Sequence, residues 1–163
     1  MSRLDSGIRR LEAQRSCIDT AVSMIGARAG VVLELGLGNG RTYDHLRERL
    51  PDKEIFVFDR QVAAHPDSIP DCDHLIIGDL NQTLVDVQSR FRDSVVLVHS
   101  DVGTGDEVNN TTLLQCLGPA LAPMLASESI VVSDQQITIP GAQIIELPEG
   151  VPHGRYYMLQ MGH

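Results

Sequence analysis

The chain has 163 residues, the length of one domain able to bury a sizeable core. Its apolar (42%) and charged (21%) fractions are those of a globular protein in water, and no apolar run approaches the roughly 20 residues that cross a bilayer. A formal charge of -9, with Lys53 as the single lysine and the arginines dispersed, argues against a nucleic-acid partner, which needs clustered cations, and suits a neutral or cationic small ligand.

The opening "MSRLDSGIRRLEAQR" is charged and has no apolar core of a signal peptide, so a cytoplasmic address is expected. Leu4, Ile8, Leu11, Ile18, Val22 and Ile25 recur at helical spacing, interrupted by Arg15, and predict an amphipathic helix over about residues 3–27 that ends near Gly26 and Gly30. Residues 1–30 are thus read as a helix packing on a domain formed by residues 31–163. Covering one face of that domain is its simplest role; a lid over a ligand or a homodimer contact are the alternatives.

From residue 31 onward, short β-branched runs alternate with helix-length segments. Strands are expected at Val31–Leu35, Glu54–Asp59, His74–Gly78, Val95–His99, Ser129–Asp134, Ala142–Leu147 and Tyr156–Met161. Helices are expected at Arg41–Leu50, near Gln82–Arg90, and over Val108–Ala126 with a break at Gly118-Pro119. The proline-rich "RQVAAHPDSIP" reads as loop or a short helix at most. Such alternation predicts an α/β fold: a doubly wound, mostly parallel sheet with helices on both faces. The last two runs, joined by "PEGVPHG", predict an antiparallel C-terminal hairpin. Cys17, Cys72 and Cys116 lack CxxC spacing, which suggests no disulfide framework and no zinc site; each is expected to be a buried apolar residue or an inert thiol.

The first strand runs into "LELGLGNGRT". In a doubly wound sheet this turn faces the crevice at the carboxyl ends of the strands, where glycines let main chain approach a ligand. A dinucleotide fingerprint would need glycine at Arg41, and a phosphate-cradling loop would need Gly-Lys-Ser/Thr; neither is present. Glu34 would repel a pyrophosphate and attract an ammonium.

At these residues the sequence resembles the class I S-adenosylmethionine-dependent methyltransferases. "LELGLGNG" is similar to their first motif, Asp59 ends the second strand in "IFVFDR", "IIGDL" resembles the third-strand motif, and "LVHSDVGTG" ends the fourth strand. The resemblance spans about residues 31–161 and implies a Rossmann-like methyltransferase fold with S-adenosyl-L-methionine as cofactor. It implies cofactor contacts from Glu34, Leu35, Gly36, Gly38, Asn39, Gly40, Arg41 and Thr42 at the first loop. Asp59 and Arg60 fall at the ribose, Gly78, Asp79 and Leu80 near the adenine, and Ser100 at the fourth strand's end. Each acid also has a structural reading, Asp59 and Asp79 as helix caps or turn residues.

The implied reaction is methyl transfer to a small-molecule acceptor, at oxygen or nitrogen, dominated by positioning with a base to take the acceptor's proton. His99 and Asp101 are the catalytic candidates at the end of the fourth strand, where the methyl group would point. A metal-dependent O-methyltransferase is an alternative: Asp101 with the pair Asp134-Gln135 is similar to that group's metal-binding acids, although Gln135 stands where that group has asparagine and its base lysine is missing. A non-catalytic module that binds the cofactor or its demethylated product is another. The Asn/Asp-Pro-Pro-Tyr/Phe run of the amino-directed enzymes of this fold and the Pro-Cys pair of the cytosine C5 enzymes are absent. Acceptor selection then falls to the N-terminal helix, the loop around Val102–Asn110, and His153 and Tyr156 in the last hairpin.

Overall fold

The computed structural model describes residues 1–104 and 106–163; Gly105, in the loop expected to select the acceptor, lies outside the described residues. The seven expected strands form a single sheet in the order β3-β2-β1-β4-β5-β7-β6. Their spans are β1 Val31–Leu35, β2 Ile55–Asp59, β3 Leu75–Ile77, β4 Val95–Ser100, β5 Leu125–Ser133, β6 Ala142–Ile144 and β7 Tyr157–Met161. β1 to β5 pair in parallel, whereas β7 enters antiparallel between β5 and β6. Burial on both faces explains why β4, "VVLVHS", is buried at every position, as a central parallel strand between helical layers must be.

Alternate residues feed two cores. Val32, Ile55, Val57, Leu97 and Val132 meet Cys17, Ile18, Ala21 and Ile25 of α1 (Arg3–Ile25) and Leu46 of α2 (Arg41–Arg49). Leu33, Phe56, Phe58, Val98 and Val131 meet Leu84 of α3 (Leu80–Val87) and Leu117 and Leu121 of α4 (Glu107–Leu121) on the other side. The sheet therefore presents one face to α1 and α2 and the other to α3 and α4.

Three expectations need correction. The buried side of α1 is Ala13, Gln14, Cys17, Ile18, Ala21 and Ile25, while Leu4, Ile8 and Leu11 stay exposed. The N-terminal half of the helix runs out beside the carboxyl ends of the strands, where a cleft rather than a core lies beneath it. Pro119 does not break α4, which continues to Leu121. Gly118 is needed for a different reason: a Cβ there would lie 1.9 Å from the Thr138 carbonyl oxygen, so it lets the chain leaving β5 cross the helix. Finally, Leu125 and Ala126 belong to β5, because the 3-10 turn Ala122–Met124 with its proline ends helical geometry before them. Of the cysteines only Cys17 is buried, and burial pushes its thiol up to about 11; Cys72 and Cys116 are exposed free thiols. Among the described residues no helix is long and apolar enough to cross a membrane.

Candidate active site

The turn after β1 is held from two sides. The Gly36 N–H donates to the Phe58 carbonyl at 2.7 Å, and a Cβ on Gly36 would lie 2.6 Å from the Asp101 carbonyl oxygen. With φ at +91° as well, no other residue fits there without displacing the end of β4. Gly38 differs: its φ is +52° and a Cβ would meet nothing within 4 Å. Its main chain is bare toward open space. Asn39 Oδ1 accepts from the Arg41 N–H at 3.2 Å, and Gly40 itself caps nothing, so the Thr42 and Tyr43 N–H groups of α2 have no side-chain partner among the described residues.

Asp59, at the end of β2, grips this turn. Its Oδ2 accepts from the Leu37 and Gly38 N–H groups at 2.8 and 3.2 Å, and its Oδ1 accepts from Arg60 N–H at 2.6 Å. Asp79 caps α3 by accepting from Asn81 N–H at 3.0 Å and meets the Arg60 guanidinium at 3.3 Å; Gly78 and Leu80 flank it. The acids expected at the ribose and the adenine thus stand at adjacent strand ends, β2 and β3, and both remain partly exposed.

Beneath the N-terminal half of α1 lies a buried polar chain. Glu34 and His99 are fully buried on neighbouring strands, with His99 Nδ1 and Glu34 Oε1 2.6 Å apart. Thr42 Oγ1 donates to the same oxygen at 3.2 Å, while Glu34 Oε2 has no partner among the described residues. Burial pushes the Glu34 carboxyl upward; burial pulls His99 downward, but the carboxylate beside it outweighs this and the net direction is up. On the far side His99 Nε2 lies 2.8 Å from the Tyr156 hydroxyl, which accepts from Gln14 Nε2 at 2.9 Å. The same amide donates to Asp101 Oδ2 at 3.1 Å, and Arg10 reaches that oxygen at 3.7 Å. Ser100 is buried with its Oγ unpartnered among the described residues, on the opposite face of β4 from this chain.

Asp101 and Asp134 come together at the ends of β4 and β5. Burial first, and the nearby Asp101 second, raise the Asp134 carboxyl to about 6, while the Gly103 N–H at 3.3 Å partly offsets this. Gln135 lies beside Gly103 as well. Among the described residues, no three His, Cys, Asp or Glu side chains converge in a way that could hold a metal ion.

A cleft of about 120 Å³ opens over the turn, lined by Gly36, Leu37, Gly38, Asn39, Arg41 and Thr42 below and by Arg10, Leu11, Gln14 and Asp101 above. A larger one of about 350 Å³ continues between α1 and α2 past Ile8, Leu11, Ile18 and His45. Bare glycine main chain, an uncapped helix start and acids at successive strand ends suit a ligand with an amino-acid tail at one end and a nucleoside at the other.

This sheet order with its antiparallel β7, and a glycine turn at the carboxyl end of β1, define a Rossmann-like methyltransferase fold. A family model described as S-adenosyl-L-methionine methyltransferase matches residues 1–161, and the chain belongs to that family. It is similar to an S-adenosyl-L-methionine methyl transferase from Silicibacter pomeroyi DSS-3, with 40% identity over 99% of both chains and a TM-score of 0.93. Human methyltransferase-like protein 13, solved with SAH, aligns at 13% identity over 98% of this chain and 81% of its own, with a TM-score of 0.58. Fibrillarin, solved with Nop5p, aligns at 14% identity over 93% and 82%, with a TM-score of 0.58. At such identities these two share the fold alone. No curated protein matches the chain. The protein is therefore an S-adenosyl-L-methionine-dependent methyltransferase.

No motif in the sequence marks Arg10 or Gln14, and Tyr156 is expected among the residues that select the acceptor. Tyr156 is instead fully buried against His99, whereas His153 is exposed. The only sequence signal for Gln14 was a polar residue on the inward side of a helix, next to Ala13 and Cys17.

Proposed function

We propose that the chain methylates a small molecule at oxygen or nitrogen, with the cofactor along the carboxyl ends of β1, β2 and β3 and the acceptor above the end of β4. The observation that carries this reading is the cleft in which bare main chain at Gly38 faces Asp101. Leu35 and the turn Gly36–Gly40, with Arg41 and Thr42 at the start of α2, are the groups for the amino-acid tail. Asp59 and Arg60 serve the sugar, Gly78, Asp79 and Leu80 the base, and Ser100 lines the cofactor side at the end of β4. S-adenosyl-L-methionine bound there supplies an electrophilic methyl group on a positively charged sulfur.

The chain's own contribution is placement and exclusion of water. Asp101, partly exposed at the edge of the cleft with Asp134 beside it, is the group able to accept the acceptor's proton. His99 is shut away between Glu34 and Tyr156, so its role is indirect: it keeps Glu34 and the β1 end in register with β4. The acidic surface, with one lysine and scattered arginines, favours a small neutral or cationic acceptor over nucleic acid. Incubating the protein with methyl-labelled cofactor and a metabolite extract tests this. Label in a small molecule supports the reading; binding without any transfer would make the chain a sensing module, and label only in RNA or protein would overturn the acceptor class.

A further inference from the structure

The cleft over the glycine turn has two walls, and the α1 side chains of the upper one are marked by no motif in the sequence. Its upper wall is α1, and the one cation that α1 contributes to it is Arg10. The Arg10 guanidinium stands 3.7 Å from Asp101 Oδ2, inside ion-pair range but too long for a hydrogen bond. Arg10 donates no hydrogen bond to any described residue, so its planar fork of donors is free over the cleft. Gln14, one turn further along α1, donates to the same Asp101 oxygen and keeps the carboxylate in place. Across the cleft, Arg41 and Thr42 line it at the start of α2, where the Thr42 and Tyr43 N–H groups have no side-chain partner among the described residues. In a chain of net charge -9, an arginine and a helix N-terminus meeting across one small cleft form a local anion site.

We propose that Arg10 binds the carboxylate of the cofactor's amino-acid tail, so that the N-terminal helix completes the cofactor site. This rests on the cofactor lying over the Gly36–Gly40 turn, as proposed above. A guanidinium matches a carboxylate in bidentate geometry, and the helix start supplies further donors to the same group. Asp101 holds the guanidinium in place through one oxygen and leaves the other for the acceptor side.

Calorimetric titration with two ligands tests it: S-adenosylhomocysteine, which carries the tail, and 5′-methylthioadenosine, which keeps the nucleoside and thioether without it. Arg10 is half-exposed, so Arg10→Ala is expected to fold normally, and its thermal unfolding is measured alongside. The expected result is an affinity for S-adenosylhomocysteine lowered about 10- to 100-fold, the loss from one charged hydrogen-bonded contact, with 5′-methylthioadenosine unchanged. Arg10→Lys should recover only part of the loss. Equal weakening of both ligands, or of neither, overturns the assignment while leaving the cofactor site standing. Wild-type protein that binds neither ligand would overturn the cofactor placement itself.

Discussion

Asp134→Asn is expected to stabilise the protein at neutral pH, and the gain should disappear in acid. The Asp134 carboxyl is raised from 3.8 to about 6, first because it is largely buried and second because Asp101 stands beside it. At about 1.4 kcal/mol per tenfold change in proton affinity this amounts to about 3 kcal/mol, which partial solvent access reduces to about 1–2 kcal/mol. The sign follows from linkage. A carboxyl whose affinity for its proton is higher in the folded state favours folding below pH 3.8, and that contribution is lost as pH rises through about 6. Asparagine has no such loss and keeps an oxygen for the Gly103 N–H. For 163 residues unfolding with about 0.34 kcal/mol/K, each kcal/mol moves Tm by about 3 °C, so a rise of about 3–6 °C is expected at pH 7.5 and almost none at pH 4. Scanning calorimetry across that range checks it. A gain independent of pH, or a destabilised variant at pH 7.5, would refute the claim that two carboxylates are forced together at the ends of β4 and β5.

Two further perturbations separate the cofactor turn from its supports. Gly38→Ala should cost the fold only about 1 kcal/mol, because a left-handed residue without steric neighbours is merely strained, yet its methyl group enters the cleft and should lower S-adenosylhomocysteine affinity about 10- to 100-fold by calorimetry. His99→Ala should be far more damaging to stability, by about 3–5 kcal/mol in denaturant unfolding, because it strips the partner from the fully buried Glu34. A His99→Ala protein as stable as the wild type would mean that Glu34 is held neutral without help from its neighbour.

The fold was readable because its physics is local. Runs such as "VVLEL" and "IFVFD" alternate between two buried faces, and the turn residues that separate them are glycine and proline. The glycine turn was readable too, since Gly36 and Gly38 each satisfy a backbone demand that no other residue meets well. Helix ends are less legible: Pro119 signals a stop, yet α4 runs on to Leu121. Asp101 and the helix above the cleft were readable, but the α1 side chains that reach into it were not. Gln14 meets Asp101 and Tyr156 at separations of 87 and 142 residues, and nothing local marks a glutamine for two such partners. The stripe of α1 misleads for a related reason, because Leu4, Ile8 and Leu11 look core-facing but stay exposed, Ile8 and Leu11 along the clefts. His99 looked like a base from its type and position; only the folded arrangement reveals that both ring nitrogens are already engaged.

The central claim is that the cofactor lies along the carboxyl ends of β1 and β2, against the Gly36–Gly40 turn. A crystal structure of the protein grown with S-adenosylhomocysteine tests it most directly. The account predicts nucleoside density beside Asp59 and a tail running over Gly38 toward Arg10. A nucleoside bound at any other place on the molecule would contradict it.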